Sequence, residues 1–440
     1  MIVIRLSILL FALAILQGCN SPEPTTATNS GITKAEIRQT DGNYQLFVNG
    51  EPFFIEGAGL EFGNVEALAK HGGNSFRTWR TDNGQSSGQE VLDRAQANGL
   101  LVTMGIEVAR ERHGFDYNDE AAVKEQFERI KTEIQAYKDH PALIIWAIGN
   151  ELNLRATNPK VWDAVNQISE YIHEVDPNHL TTSTLAGIDK ELVDNIKERA
   201  SDLDLLSIQM YADIVNLKQK VTESGWTGPY MVTEWGATGH WEVGTTAWEA
   251  PIENNSTQKA NFYLERYQQA ILPNRDQCVG SYVFLWGQKQ ERTPTWYGMF
   301  MPDGEETASV DVMHYLWNDT WPDNRSPQLD SFLLNGQMAA SNIYLEAGKS
   351  YTSEVFASDP DGDALTYHYE IKPESTDLGD GGDHESVPPS LEGLITESNQ
   401  AAISFTAPET EGAYRILVTV ADGQNHMGHA NIPFYVKARK

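Results

Sequence analysis

The stretch Leu143-Ile144-Ile145-Trp146-Ala147-Ile148-Gly149-Asn150-Glu151 runs an apolar segment straight into a carboxylic acid. Six consecutive apolar residues after Pro141 read as a strand buried on both faces, as in a parallel sheet. Such a strand should continue into hydrophobic cover, yet this one ends in a small residue, an amide and an acid. A carboxyl group there loses hydration, so its pKa rises and it can hold a proton near neutral pH, as a general acid must. The plainer reading makes Glu151 a loop cap or the partner of a nearby arginine. A second stretch, Pro229-Tyr230-Met231-Val232-Thr233-Glu234-Trp235-Gly236, weighs against that reading, because again a short apolar strand ends in an acid. Two carboxylates at the ends of two buried strands suit cleavage of a glycosidic bond, one as proton donor and one as nucleophile.

Outward from this pair, apolar strands and amphipathic stretches alternate. A β-hairpin comes first, Ala35–Arg38 and Tyr44–Gly50 around an Asp41-Gly42-Asn43 turn. Strands follow at Phe53–Ala58, Ser75–Trp79, Leu100–Ile106, Leu143–Ile148, Leu180–Leu185, Leu205–Tyr211, Tyr230–Thr233 and Gly280–Trp286. Helical periodicity lies between them, for example at Gln89–Asn98, Glu120–Tyr137 and Pro159–Glu174, and Ala308–Trp317 follows the eighth strand. Eight such units in about 270 residues predict an α/β fold, a (β/α)8 TIM barrel. A doubly wound sheet rarely needs eight repeats, and no Gly-rich phosphate loop follows the first strand.

Barrel enzymes carry their chemistry at the C-terminal strand ends. Glu151 and Glu234 fall there, with Arg77 in the end of strand two, Tyr211 at the end of strand six and Trp286 at the end of strand eight. An arginine and a tyrosine beside one carboxylate keep it ionised, while a drier setting keeps the other protonated. Each also has a structural reading: Arg77 as an ion pair, Tyr211 as a core ring, Trp286 as barrel packing. Trp79, Trp235, Trp241, Trp286, Trp296 and Tyr297 follow strands or occupy the loops after them, where flat rings stack on sugars. The loops Thr81–Gly88, Val108–Asp119 and Thr238–Ser256 are long for βα connections and are expected to build subsites. His113, His240 and Glu107 lie in or near them without metal-ligand spacing, so neither a metal nor a cofactor is expected.

Past Trp321 the texture changes. Pro322–Pro327 reads as a linker, and short alternating strands such as Tyr351–Ala357, Leu365–Ile371 and Tyr414–Ala421 predict a small all-β immunoglobulin-like sandwich. Asp359-Pro360-Asp361-Gly362-Asp363 reads as an acidic turn, since Ala364 stands where an EF-hand loop needs glycine. Tyr351, Tyr367, Tyr369 and Tyr414 alternate as on a packed face, so this module is expected to bind sugar weakly or not at all and to act as a spacer or buttress.

At the other end, Arg5 and the apolar run Leu6–Leu16 form a targeting segment too short for a permanent membrane span. Leu16-Gln17-Gly18-Cys19 resembles the lipobox of bacterial lipoproteins, which implies lipidation at Cys19 and a bacterial cell envelope. Asn20–Ser30 is Ser/Thr/Pro/Asn-rich and reads as a disordered tether. The expected domains are therefore residues 1–19 (signal), 20–31 (tether), 32–322 (barrel with hairpin) and 328–440 (sandwich). A net charge of −30 argues against nucleic acid and anionic lipid as partners and favours a neutral polysaccharide over a charged one, leaving the lipid as the only membrane contact. With Cys19 set aside, Cys278 stands alone, so no disulfide forms within the chain.

Asn74-Ser75-Phe76-Arg77-Thr78, Gly149-Asn150-Glu151 and Thr233-Glu234-Trp235-Gly236 look like the strand ends of clan A retaining glycoside hydrolases, especially the family 2 catalytic barrel. The resemblance covers about two thirds of the chain. It implies Glu151 as acid/base, Glu234 as nucleophile, Asn150 as the contact to the sugar 2-hydroxyl, and Arg77 and Tyr211 as partners of the nucleophile. Trp79, Trp235 and Trp286 complete the expected substrate-binding set. The large domains that precede the family 2 barrel have no counterpart in this sequence. A barrel followed by one immunoglobulin-like domain looks more like family 158, bacterial endo-β-1,3-glucanases, which implies laminarin or a related neutral β-glucan. The same residues also serve a β-glucan transglycosylase, and a surface glycan-binding protein on an inactive barrel is the third possibility.

Overall fold

The computed structural model describes residues 31–438. The signal-like segment, Cys19 and the tether up to Ser30 lie outside the described residues. Three antiparallel strands open the described chain: β1 (Ala35–Thr40), β2 (Asn43–Val48) and β3 (Glu51–Phe53). Eight parallel strands then close into a barrel: β4 (Ile55–Gly59), β5 (Ser75–Arg77), β6 (Leu101–Ile106), β7 (Leu143–Asn150), β8 (Leu180–Ala186), β9 (Leu206–Gln209), β10 (Tyr230–Glu234) and β11 (Cys278–Val283). They pair in chain order, and β11 returns to pair with β4. The TIM barrel expected from the strand–helix alternation is therefore present. All eight residues of β7 are buried, which is why its sequence is continuously apolar and not alternating. Inside the barrel the Tyr282 hydroxyl is satisfied by Ser75 Oγ at 2.8 Å and Thr103 Oγ1 at 2.7 Å. Cys278 is a buried free thiol, and burial pushes its pKa up to about 12, so it is inert core.

Helices α1 (Val65–Lys70), α2 (Gly88–Ala97), α3 (Glu120–Tyr137), α4 (Lys160–Val175), α5 (Lys190–Arg199), α6 (Leu217–Ser224), α7 (Ser256–Arg266) and α8 (Ala308–Asn318) surround the strands. Their starts are coded locally. Ser87 and Glu90 form a reciprocal capping box on α2, and Asn255 and Gln258 do the same on α7. The short α6 lies outside the helical stretches singled out above. None of the helices among the described residues is long and apolar enough to cross a membrane.

The opening hairpin plugs one end of the barrel. Leu46, Ile37, Val48 and Phe53 pack against Ile55, Ile144, Leu180, Met231 and Val279, which are residues at or near the starts of barrel strands. The opposite, C-terminal end stays open. The hairpin is bound as well as packed, since Ala35 N donates to Asn178 O and Tyr44 N to Asp276 O, each at 2.8 Å.

Seven further strands follow: β12 (Gln328–Leu334), β13 (Ile343–Glu346), β14 (Ser350–Ser358), β15 (Thr366–Pro373), β16 (Ala402–Thr406), β17 (Gly412–Ala421) and β18 (Met427–Lys437). They make a three-stranded sheet, β12-β14-β16, and a four-stranded sheet, β13-β18-β17-β15, around one apolar core. Tyr369 and Tyr414 are buried in that core. The sandwich contacts the barrel directly. Asn255 Nδ2 donates to Leu329 O at 3.2 Å, His429 N donates to Ser256 Oγ at 3.0 Å, and the Trp248 ring packs on Tyr344 and Tyr435. At the linker, Ser326 N donates to Asp311 Oδ2 at 2.7 Å.

Candidate active site

The open end gathers the strand-end residues into one cluster. Glu234, last in β10, accepts four hydrogen bonds. Arg77 Nη2 (3.2 Å), Trp79 Nε1 (3.1 Å) and Gln209 Nε2 (3.0 Å) meet Oε1, and the Tyr211 hydroxyl meets Oε2 at 2.8 Å. Arg77 is buried, and its guanidinium also stacks over the Trp79 ring at 4.5 Å. Four donors from two strand ends hold one carboxylate in one orientation, which is how a nucleophile is pre-positioned. Asn150 is built into the same network: its Oδ1 accepts from Arg77 Nη2 (2.9 Å), Thr184 Oγ1 (3.0 Å) and Gln209 Nε2 (2.9 Å). With the oxygen so engaged, the amide NH2 is the group Asn150 can offer to a ligand.

Glu151 takes the left-handed backbone conformation, φ 52°, two residues after Gly149 at φ 73°. A glutamate pays strain there, and strain of this kind persists only where the surroundings hold it. Glu151 N donates to Thr184 O at 2.9 Å, and Arg112 Nη1 donates to the Glu151 carbonyl at 3.1 Å. Its carboxyl pKa is pushed up to about 7, first by burial and then by the charge of Glu234, against the pull of Arg112, Arg77 and Arg110. One carboxyl is thus wrapped in donors, and the other, half-buried in the cavity wall, holds its proton near neutrality.

Both acids line a cavity of about 760 Å3 together with Trp79, Asn150 and Tyr211. Trp286 lines it too, although its ring is buried against His71, Phe300 and Trp317 and its Nε1 donates to Asn64 O at 3.0 Å. Trp235 needs correction as a substrate-binding residue. It is fully buried, stacks on Tyr267 at 5.7 Å and packs against Tyr263, so it faces away from the cavity. Trp296 and Tyr297 are likewise buried. The exposed rings at the cavity are Trp241, 61% exposed, and Phe62, 59% exposed. Phe62 was outside the sequence-derived set, and so was Gln209, which bridges Asn150 and Glu234. Gln209 ends its strand as the other site residues do, and that position was the available signal. Of the long loops, Val108–Asp119 supplies Arg110 and His113 to the cavity and Thr238–Ser256 supplies Trp241, whereas Thr81–Gly88 supplies no lining residue.

Cations at the rim are largely spoken for. Arg80 pairs with Glu61 at 2.6 Å and Lys289 with Glu291 at 2.9 Å, and Arg110 Nε donates to Asn150 O at 3.0 Å. Among the described residues, carboxylates with metal-like proximity occur at Asp359, Asp363 and Asp422, in the sandwich and not at this cluster. There Asp359 Oδ1 accepts from Asp361 N and Asp363 N, the pattern of an acidic turn.

A closed parallel barrel with one donor-wrapped carboxyl and one of raised pKa at its C-terminal rim has the architecture of a glycoside hydrolase. The chain belongs to the glycosyl hydrolases family 2 TIM-barrel family, whose family model matches residues 66–307. It is 28% identical over 154 residues to the putative mannan endo-1,4-β-mannosidase 4 of Arabidopsis thaliana, covering 34% of this chain and 36% of that one. Over 60 residues it is 35% identical to the mannan endo-1,4-β-mannosidase F of Aspergillus clavatus, covering 13% of this chain and 14% of the other. Among solved structures, the β-D-glucuronidase of Dictyoglomus thermophilum superposes with a TM-score of 0.50 at 16% identity, over 66% of this chain and 54% of that one. The Bacteroides uniformis β-glucuronidase 2 bound to cyclophellitol-6-carboxylate aziridine gives 0.51 at 12% identity, over 92% and 48%. At these identities the structural likeness speaks to the fold. The chain spans about a third of its first curated relative and about half of these structures.

Proposed function

We propose that this protein is a retaining β-glycoside hydrolase that cleaves a neutral polysaccharide by double displacement. The observation that carries the reading is the contrast between Glu234, fixed by four donors, and Glu151, whose pKa is raised to about 7 beside it. In the first step a Glu234 oxygen attacks the anomeric carbon. The bond to the leaving oxygen breaks, and that oxygen takes the Glu151 proton. In the second step the Glu151 carboxylate takes a proton from water, whose oxygen displaces Glu234 and regenerates both groups. Asn150 binds the 2-hydroxyl, Arg77, Gln209 and Tyr211 orient the nucleophile, and Trp79, Trp241 and Trp286 shape the walls.

The paired rim cations and the chain's net charge of −30 favour an uncharged substrate. Within that class the family 158 resemblance favours endo cleavage of a β-1,3-glucan. The mannanase-like segments favour a β-mannan as the second reading. A product profile on neutral β-glucans and β-mannans separates the two, and longer products on the same panel would mark a transglycosylase. No cleavage of any of them would leave glycan binding alone. Retention is read by 1H NMR, with the β-anomer expected as first product and an α-anomer overturning the covalent mechanism. The reading also fixes a pH limb: kcat/KM should fall as pH rises through about 7, because Glu151 then loses the proton it must donate. A profile flat to pH 9 would refute that role.

The same reading puts the protein at a bacterial cell envelope, lipid-anchored through Cys19, with the Leu16–Cys19 motif as its support. Labelling with a clickable palmitate analogue should mark the parent and not Cys19→Ser.

A further inference from the structure

The connection between β15 and β16 runs from Glu374 to Ala401, far longer than a sandwich turn needs, and loops of that length in compact domains are usually functional. Its Gly379–Glu385 segment leaves the sandwich and reaches the barrel mouth. On one bank, after β6 and β7, Arg155 Nη1 meets Asp380 Oδ2 at 2.5 Å and His113 Nε2 contacts Asp383 Oδ2 at 3.0 Å. Arg112 Nη2 donates to the Gly381 carbonyl there at 3.4 Å. On the other bank, after β11, Lys289 Nζ donates to Gly382 O at 3.0 Å. Arg292 grips Glu385 through its backbone N (2.5 Å) and Nη1 (2.6 Å). Strands β7 and β11 stand opposite each other in the cyclic order, so the segment bridges the mouth instead of edging it. Glu385, 2% exposed, also accepts from Gly379 N at 3.0 Å, which clasps the two ends of the segment together.

The middle of this bridge rests on the proposed acid. Gly381 and Gly382 take φ 55° and 76°, and a Cβ built on Gly381 would lie 2.9 Å from Glu151 Oε2 and 2.7 Å from Leu154 Cδ2. Only a glycine lets the backbone approach so closely. The space on either side is divided in two. The 760 Å3 cavity holds both carboxyls and faces β4, β5 and β6. A second cavity of about 470 Å3 lies toward β8, β9 and β10, and Glu151, Tyr211 and Trp241 line it. Gly381 borders both.

We propose that Gly379–Glu385 is a specificity-determining strap that turns the cleft into a threaded passage, so that a polysaccharide enters by a free end and not from the side. The assignment of the chambers rests on the retaining-glycosidase reading. The sugar attacked by Glu234 occupies the larger chamber. The leaving sugar, released at Glu151, passes under Gly381 into the smaller one. Internal cleavage then follows threading, which differs from the open groove expected of an endo-acting enzyme.

The test compares linear β-1,3-gluco-oligosaccharides with a cyclic β-1,3/1,6-glucan, which has no end to thread, each normalised to hydrolysis of an aryl β-glucoside. The parent should cleave the ring at least about tenfold more slowly than the linear chain. The full-length Asp380→Ala/Asp383→Ala variant, with its moorings loosened, should narrow that gap. Comparable rates on ring and chain by the parent, or an unchanged gap in a folded variant, would overturn the strap. A parent that cleaves no β-glycoside at all would instead remove the glycosidase reading on which the chambers rest.

Discussion

Glu151→Ala should lower kcat/KM on an unactivated β-linked oligosaccharide by about 10²–10⁴-fold, the span that a positioned proton donor contributes. A sugar alkoxide is a poor leaving group and needs its proton as the bond breaks. A dinitrophenolate needs none, so formation of the glycosyl-enzyme from a dinitrophenyl glycoside should survive the substitution. The second step still lacks its base, so the intermediate should accumulate and depress kcat and KM together. Azide is small enough to enter the space left by the carboxyl and needs no deprotonation. It should restore turnover and yield a β-glycosyl azide. Steady-state kinetics on the two substrate classes, with and without azide, check all of this. An equal loss on both without rescue would remove Glu151 from the acid/base role.

Lys259→Met should destabilise the folded protein by about 3–5 kcal/mol, because it leaves a buried carboxylate without its countercharge. Lys259 Nζ meets Glu253 Oε1 at 2.5 Å, and both side chains are almost fully buried. Thr295 Oγ1 reaches Oε1 at 2.8 Å, while Thr293 Oγ1 and, from the sandwich, Asn431 Nδ2 reach Oε2 at 2.5 Å. Burial alone would raise the Glu253 pKa, yet the charges of Lys259 and His429 and the hydrogen bonds from Lys259 and Thr293 overcome it and bring it to about 2. A depressed carboxyl stabilises the fold above its unfolded value near 4.5, and that contribution fades as pH falls from there towards 2. Lys259→Met/Glu253→Gln should recover most of the loss, since a neutral amide can stay buried on the same hydroxyls. Urea denaturation of parent, single and double variants at pH 7 gives the comparison. A single variant as stable as the parent would mean that water reaches Glu253. Asn431 ties the pair to the sandwich, so the single variant should also loosen the junction between the two modules.

Much of the cluster was legible because its members share one address. Arg77, Asn150, Glu151, Tyr211 and Glu234 each end or closely follow an apolar run, and a parallel barrel sends all such ends to one rim. Gln209 shares that address, but a glutamine at a strand end carries no chemical signature comparable to an acid after six apolar residues. Trp235 fails for a different reason. Local sequence says that a ring follows the acid, not which way it turns, and here the chain turns it onto Tyr263 and Tyr267 of the outer layer. The strap was beyond reach. Its glycines and aspartates spell a loop, but its landing places lie 93 to 270 residues away in the chain, at Lys289 and Arg292 on one bank and among Arg112, His113 and Arg155 on the other. For the same reason the sandwich, expected as a spacer or buttress, proves to supply part of the cleft wall.

The hairpin β1–β3 has a consequence for orientation. It occupies the barrel end where strands begin, and the catalytic rim lies at the end where they finish. Thr33 sits at that same rear end, where its Oγ1 donates to the Pro141 carbonyl at 2.5 Å. The hairpin therefore stands a full barrel height from the mouth, so a substitution within it should change stability without touching the way a polymer enters.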